Sequence, residues 1–236
     1  MRADDLTVFA AASLKDVLNQ IAADYTKVSP DKISFNFEAS GPLEVEIRHG
    51  APADIFFSAD EEKMNDLDKD GLLLAGTRKD LLRNQLAIVV PSDSKLTITG
   101  PKDLAGPDVK KLVLGEVKSV PAGIYAKAYL EKAGVWSDVQ AKVISAINVR
   151  AALAVVETGN ADAGLVYKTD ALHSKKVKTA YLVPTGGDAP AIIYPAGVVK
   201  DSKHPTAAKR FLDYLSSPKA LSIFEHAGFA PASAKM

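Results

Sequence analysis

The sequence contains no cysteine, which excludes disulfides, thiolate metal sites and cysteine nucleophiles while leaving the compartment open. It has no net charge, since 29 Lys and Arg balance 29 Asp and Glu. No overall field therefore draws the chain to nucleic acid or to an anionic membrane, and capture of any anion must be local. No apolar run approaches the length of a membrane span. Histidine is scarce, with four residues in 236. None of His49, His173, His204 and His226 sits in a motif with a serine nucleophile or a second metal ligand. Gly-x-Ser-x-Gly and phosphate-binding loops are missing as well. An enzyme thus has no motif to carry it. A ligand-sensing domain of a transcription regulator lacks an attached helix-turn-helix and a basic face.

What is present is the composition of a globular chain, 47% apolar and 25% charged, long enough for one large or two small domains with ample core. Met1-Arg2-Ala3-Asp4-Asp5 leads into the first strand without a signal peptide, which fits either a cytoplasmic protein or a mature exported one. The segment Leu6-Thr7-Val8-Phe9 reads as a buried strand, and Leu14, Val17, Leu18, Ile21 and Ala22 recur at helical spacing. Ser13 stands between them as a candidate N-cap, after the small Ala10-Ala11-Ala12 run. A helix start presents unpaired N–H groups and partial positive charge, so a hydroxyl beside it suits an anion.

The same device recurs three times. Ile33-Ser34-Phe35-Asn36-Phe37 alternates as a strand, and Glu38-Ala39-Ser40-Gly41-Pro42 follows, with Ser40 or Gly41 as the expected cap and Pro42 at the first helical position. Leu112-Val113-Leu114-Gly115 is followed by Ser119-Val120-Pro121-Ala122-Gly123, where Pro121 suits the first turn and the small Ala122 and Gly123 leave their N–H groups approachable. Val143 to Ala146 leads to Asn148, a strong N-cap, and then Val149-Arg150. Asp162 to Tyr167 reads as a further strand that ends on a tyrosine. A buried tyrosine usually satisfies its hydroxyl within the core, but one at a strand's carboxyl end beside helix starts can donate to a ligand.

Strands alternating with helices imply a parallel sheet, with ligands gathered at the strands' carboxyl ends. Asp66-Leu67-Asp68-Lys69-Asp70-Gly71 mimics the start of a calcium loop, but Thr77 stands where the bidentate glutamate belongs. Two long apolar runs, Leu86 to Val90 and Ile192 to Val199, split the βα units into an outer and an inner set. That layout predicts two α/β lobes, joined by two crossover strands, with a ligand cleft between them. Lobe one is expected at 1–85 and 195–236, and lobe two at 86–194. The helices Thr206 to Ser216 and Pro218 to Ala227 close the chain, and the tail after Phe229 is expected to be loose. Arg150, just after a capped helix start, is expected to turn away into an ion pair. A site built of donors alone favours a fully deprotonated tetrahedral dianion over an oxyanion that still carries a proton.

Several stretches together resemble the periplasmic molybdate-binding proteins of bacterial ABC importers. They are Phe9-Ala-Ala-Ala-Ser13-Leu14, Gly50-Ala-Pro-Ala-Asp54-Ile55-Phe56 with Ser58-Ala59-Asp60, Val120-Pro-Ala-Gly-Ile-Tyr-Ala126, Val149-Arg150 with Ala152-Leu153-Ala154, Gly164-Leu-Val-Tyr167, and Phe224 to Phe229. The resemblance covers nearly the whole chain in order. It implies the type II periplasmic-binding-protein fold, export to the periplasm, and a monomer that passes its cargo to a membrane permease. It further implies that molybdate, and usually tungstate, is held by hydrogen bonds alone, with no cofactor and no direct metal ligation. The contacts implied are the hydroxyl and backbone of Ser13 and Ser40, the backbone N–H groups of Ala122 and Val149, and the Tyr167 hydroxyl. Gly41 departs from the serine-rich run of many members and removes one potential hydroxyl. Sulfate or phosphate is the alternative cargo.

Overall fold

A computed structural model describes residues 3–233. Met1 and Arg2 of the expected leaderless start, and Ala234, Lys235 and Met236 of the expected loose tail, lie outside the described residues. The chain divides into two compact units, Met1–Arg83 with Ile193–Lys235, and Asn84–Ile192. The outgoing leg lays down β1 (Asp5–Ala11), a 3-10 turn (Ala12–Leu14), α1 (Lys15–Tyr25), β2 (Lys32–Glu38), α2 (Ser40–Arg48), β3 (Ile55–Phe57), α3 (Glu61–Lys69) and β4 (Lys79–Asn84). The second unit holds β5 (Leu86–Pro91), β6 (Leu112–Gly115), α4 (Pro121–Lys132), α5 (Trp136–Val139), β7 (Val143–Ala146), α6 (Val149–Glu157), β8 (Ala163–Tyr167), α7 (Lys168–Leu172) and β9 (Val177–Leu182). The return leg adds β10 (Ile192–Val198), α8 (Pro205–Leu215), α9 (Pro218–His226) and β11 (Ala230–Pro231).

The sheet of the first unit runs β11-β4-β10-β3-β1-β2. Its register sets Val8 beside Ile55, Phe9 beside Phe56 and Ala10 beside Phe57. Ile55, Phe56 and Phe57 are all fully buried, the continuous apolar pattern of a strand covered on both faces. Phe9 and Phe56 pack with Leu43 and Ile47 of α2 and with Met64 and Leu67 of α3. Phe57 points to the opposite face, as the period of two requires, and meets Phe224 of α9 edge-on at 6.2 Å between ring centroids. Tyr25 of α1 meets Phe211 of α8 at 5.0 Å. Each fully buried side chain of this size contributes roughly 1.5–3 kcal/mol.

In the second unit the order is β7-β6-β8-β5-β9. Both sheets are mixed rather than parallel throughout, which corrects the expectation from the βα rhythm. β1 is parallel to β2 and β3, and β6 to β7 and β8. The antiparallel members include the two long apolar strands, β10 against β3 and β5 against β8 and β9. A crossover helix is what enforces parallel pairing, and neither of these strands has one leading into it.

One strand escapes the sequence pattern, and one further reading needs correction. Lys79-Asp80-Leu81-Leu82-Arg83-Asn84 forms β4, although its charged flanks conceal a strand in which Leu81 and Leu82 are buried. The stretch Ala230-Pro231-Ala232 of the tail expected to be loose is tied down on that strand, Ala230 and Pro231 forming β11, with Ala230 beside Arg83 and Pro231 beside Leu82. The Ala232 N–H donates to the Leu81 carbonyl, and Arg83 Nε donates to the Ala232 carbonyl, each at 2.9 Å. A two-residue edge strand containing proline has no pattern to betray it, and proline is tolerated there because an edge needs fewer ladder donors.

Candidate functional site

Because β1, β2 and β3 are parallel, the turns that follow them fall on one edge of the sheet. Ser13 lies in the 3-10 turn after β1 and is only 3% exposed. It is not the N-cap expected there: α1 begins at Lys15 with no side-chain cap. The tighter turn absorbs the first unpaired groups of the helix instead, and the hydroxyl is left for another task. Its Oγ lies 3.0 Å from Tyr194 Oη.

Ser40 is likewise inside its helix rather than capping it. The cap position belongs to Ala39, Ser40 is the first residue of α2, and Pro42 stands third rather than first. Proline is harmless at that position, since the opening N–H groups of a helix have no partner within it. Ser40 is fully buried, and its Oγ accepts the Ala59 N–H at 2.9 Å. Glu38 is turned onto its own backbone, where Oε1 accepts the Ala39 N–H at 2.9 Å.

The loop after β3 shares this edge. Ser58 is fully buried, its N–H donates to the Pro195 carbonyl at 2.9 Å, and its Oγ accepts the Asp60 N–H at 3.1 Å. Asp60 caps α3 through the Lys63 N–H at 2.9 Å. Burial pushes its carboxyl up to about 6, against the pull of the Lys63 amide and ammonium.

In the second unit β6, β7 and β8 are parallel, so the starts of α4 and α6 and the end of β8 share an edge. Asn148 caps α6 as its residue type foretells, with Oδ1 accepting the Ala151 N–H at 2.9 Å. Val149 is the first helical residue and is buried. Pro121 opens α4, and Ala122, fully buried, is second. At those two positions the N–H groups have no helical acceptor and lie at the positive end of the helix dipole. Ser119 is diverted from the helix start, donating to Glu116 Oε2 at 2.8 Å. Burial works to raise the Glu116 carboxyl, but the Ser119 hydroxyl and the Lys118 amide outweigh it and hold the group low.

Gly123 does not offer an approachable N–H, because that group donates to the Val120 carbonyl at 2.8 Å. The glycine is required for packing: a Cβ there would lie 2.1 Å from the Gly115 carbonyl oxygen. Tyr167 ends β8 and is 1% exposed. Arg150 turns into an ion pair as expected, with Nε 2.7 Å from Oδ1 of the fully buried Asp170.

The residues singled out from the sequence thus fall into two sets, each on one sheet edge: Ser13 and Ser40 in the first unit, and Ala122, Val149 and Tyr167 in the second. Over residues 6–230 the sequence matches the family described as bacterial extracellular solute-binding protein. The chain belongs to that family. This solute-binding protein is 43% identical over 225 residues to YvgL of Bacillus subtilis, named provisionally as an ABC transporter substrate-binding lipoprotein, covering 95% of this chain and 85% of that protein. It is 39% identical over 234 residues to the molybdate-binding protein ModA of Escherichia coli, covering 95% and 88%. Among solved structures, the periplasmic molybdate-binding protein of Azotobacter vinelandii superposes with a TM-score of 0.87 at 25% identity, covering 95% of this chain and 98% of that one. The architecture is the type II periplasmic-binding-protein fold.

Among the described residues no three His, Cys, Asp or Glu side chains come together to hold a metal ion. Sequence reasoning overlooked two hydrogen-bond partners of the first set, namely Tyr194 and the Ala59 N–H. For Tyr194 there was a signal: it is the one hydroxyl in the apolar run Ala191-Ile192-Ile193-Tyr194-Pro195-Ala196. For Ala59 there was none, since a backbone donor leaves no mark in composition.

Proposed function

We propose that this protein binds molybdate, and tungstate with it, outside the cytoplasm and delivers it to the membrane permease of an ABC importer as a monomer. The donors are the hydroxyls of Ser13, Ser40 and Tyr167 and the N–H groups of Ala122 and Val149. The observation that carries the reading is the chemistry of the two sheet edges. Buried hydroxyls and helix starts gather there, while Arg150, the residue after Val149, is committed to Asp170. An oxyanion is then neutralised by dipoles alone, each charge-assisted bond contributing roughly 1.5–3 kcal/mol. Relatives named as molybdate-binding proteins, at 39% identity from Escherichia coli and 37% from Haemophilus influenzae, support that choice of cargo over sulfate or phosphate.

The test is calorimetric titration of ligand-stripped protein with molybdate, tungstate, sulfate and phosphate near neutral pH. Tight one-to-one heat from the first two and little from the others is the expected result. Silence from molybdate and tungstate would overturn the reading, and tight sulfate binding would move it to the alternative cargo. Ser13→Ala and Tyr167→Phe should each weaken molybdate binding by about 10- to 100-fold, the loss of one charge-assisted bond.

A further inference from the structure

We infer that Tyr194 is a positioning residue that sets the direction in which Ser13 donates its proton, and through it the donor-only character of this half of the site. The inference rests on the reading above, in which Ser13 contacts the oxyanion. Tyr194 stands two residues before Ala196, which pairs with Phe57 in the antiparallel ladder of β10 and β3. That register carries it to the edge where β1 and β3 end. Its ring is fully buried and packs edge-on against Phe229 at 5.5 Å between centroids. The phenol is therefore held in place from behind, with Oη 3.0 Å from Ser13 Oγ.

A serine hydroxyl has one proton and two lone pairs, and it rotates to suit its neighbours. Left alone, it can accept a proton from a ligand as readily as donate one. A phenol, with its ordinary pKa near 10, is a much stronger acid than an aliphatic alcohol and so takes the donor role between the two. With Tyr194 donating into Ser13 Oγ, the serine's own proton is turned toward another acceptor. The second serine of this edge has the same arrangement with a donor that cannot reverse. Ser40 Oγ accepts the Ala59 backbone N–H at 2.9 Å, so its proton is likewise turned outward. Two different internal donors thus impose one polarity on both hydroxyls. This explains in structural terms why a fully deprotonated dianion would be preferred over an oxyanion that needs an acceptor.

The experiment is a double-mutant cycle on molybdate affinity, measured by calorimetry on wild type, Tyr194→Phe, Ser13→Ala and the double variant, with a thermal melt of each. Tyr194→Phe removes one oxygen and keeps the ring against Phe229, so the fold should survive with a small change in melting temperature. The expected result is a loss of about 5- to 20-fold for Tyr194→Phe in the wild-type background and of less than twofold once Ser13 is alanine. An equal loss in both backgrounds would show that the phenol acts independently of Ser13 and would overturn the inference. So would an affinity for Tyr194→Phe within twofold of wild type while Ser13→Ala weakens binding. If wild type itself ignores molybdate, or Ser13→Ala has no effect, it is the underlying site assignment that fails.

Discussion

In the first unit the groups at the carboxyl edge of the sheet are rotatable hydroxyls, each backed by a hydrogen-bond partner from its own unit: Tyr194 behind Ser13 and the Ala59 N–H behind Ser40. In the second unit they are largely backbone N–H groups at the starts of α4 and α6, whose directions are fixed by the helix itself. A hydroxyl must be oriented, and a single hydrogen bond can do that. A backbone N–H must be placed, and only packing can do that. Damage to the first edge should therefore appear mainly as lost affinity. Damage to the second, the Tyr167 hydroxyl apart, should appear mainly as lost stability.

The sharpest way to break this contrast is at Gly123. The end of β6 and the first turn of α4 approach so closely that a Cβ on Gly123 would lie 2.1 Å from the Gly115 carbonyl oxygen and 2.8 Å from that of Glu116. Both obstacles are backbone and cannot swing aside. Gly123→Ala should cost about 3 kcal/mol or more, at the upper end for overpacking, lowering the melting temperature by about 6 °C or more for a chain of this size. A melting temperature within about 2 °C of wild type would mean that α4 shifts freely, and the placement argument would fall.

Asp170 tests the same edge with a smaller expected effect. It is fully buried and paired to Arg150, whose side chain is one quarter exposed. Removing one partner of a buried pair typically costs 3–5 kcal/mol, and the partial exposure of Arg150 reduces that to about 2–3 kcal/mol for Asp170→Asn. Adding Arg150→Met, which removes the stranded charge, should recover at least half of the loss in a denaturant titration. No recovery would show that Asp170 stabilises α6 by some route other than this pair.

How far the sequence revealed these edges depended on the kind of physics involved. The helix starts were legible wherever their chemistry is local. Asn148 caps three residues on and Pro121 opens its helix, because both effects are decided within one turn. Ser13 and Ser40 were singled out correctly as polar residues at βα junctions but given the wrong local role. Their hydroxyls bond to Tyr194 and Ala59, 181 and 19 residues away, and such partners are chosen by sheet register. The same limit hid β4, which lies between β10 and β11 in the sheet, and β11, which exists only by pairing with β4. Charge-flanked Leu81-Leu82 and the two residues Ala230-Pro231 carry no periodicity of their own. The parallel core of each sheet could be read from the βα rhythm, whereas the antiparallel strands β5 and β10 could not, since a buried apolar run looks the same in either direction.

The smallest effect expected concerns how each edge caps a helix. The second unit uses a neutral residue, Asn148, whereas the first uses Asp60, a carboxylate that is 4% exposed and whose pKa burial raises to about 6. A carboxyl with a raised value binds its proton more tightly in the folded chain than in the unfolded one. Its contribution to stability is therefore full below about pH 4, falls as the pH rises toward 6, and is absent above that. The raised value corresponds to at most about 3 kcal/mol at neutral pH. Asp60→Asn keeps the cap, because the two residues are comparable in that role, and removes the buried charge. It also gives up the favourable interaction of a carboxylate with the helix start, roughly 0.3–1 kcal/mol. The variant should gain about 1 kcal/mol over wild type at pH 8 and almost nothing at pH 4, where the carboxyl is already protonated. Urea titrations at the two pH values would measure this. An equal gain at both would mean that the charge is not what distinguishes the two caps, and a loss at pH 8 would mean that the α3 start stabilises the carboxylate more than burial penalises it.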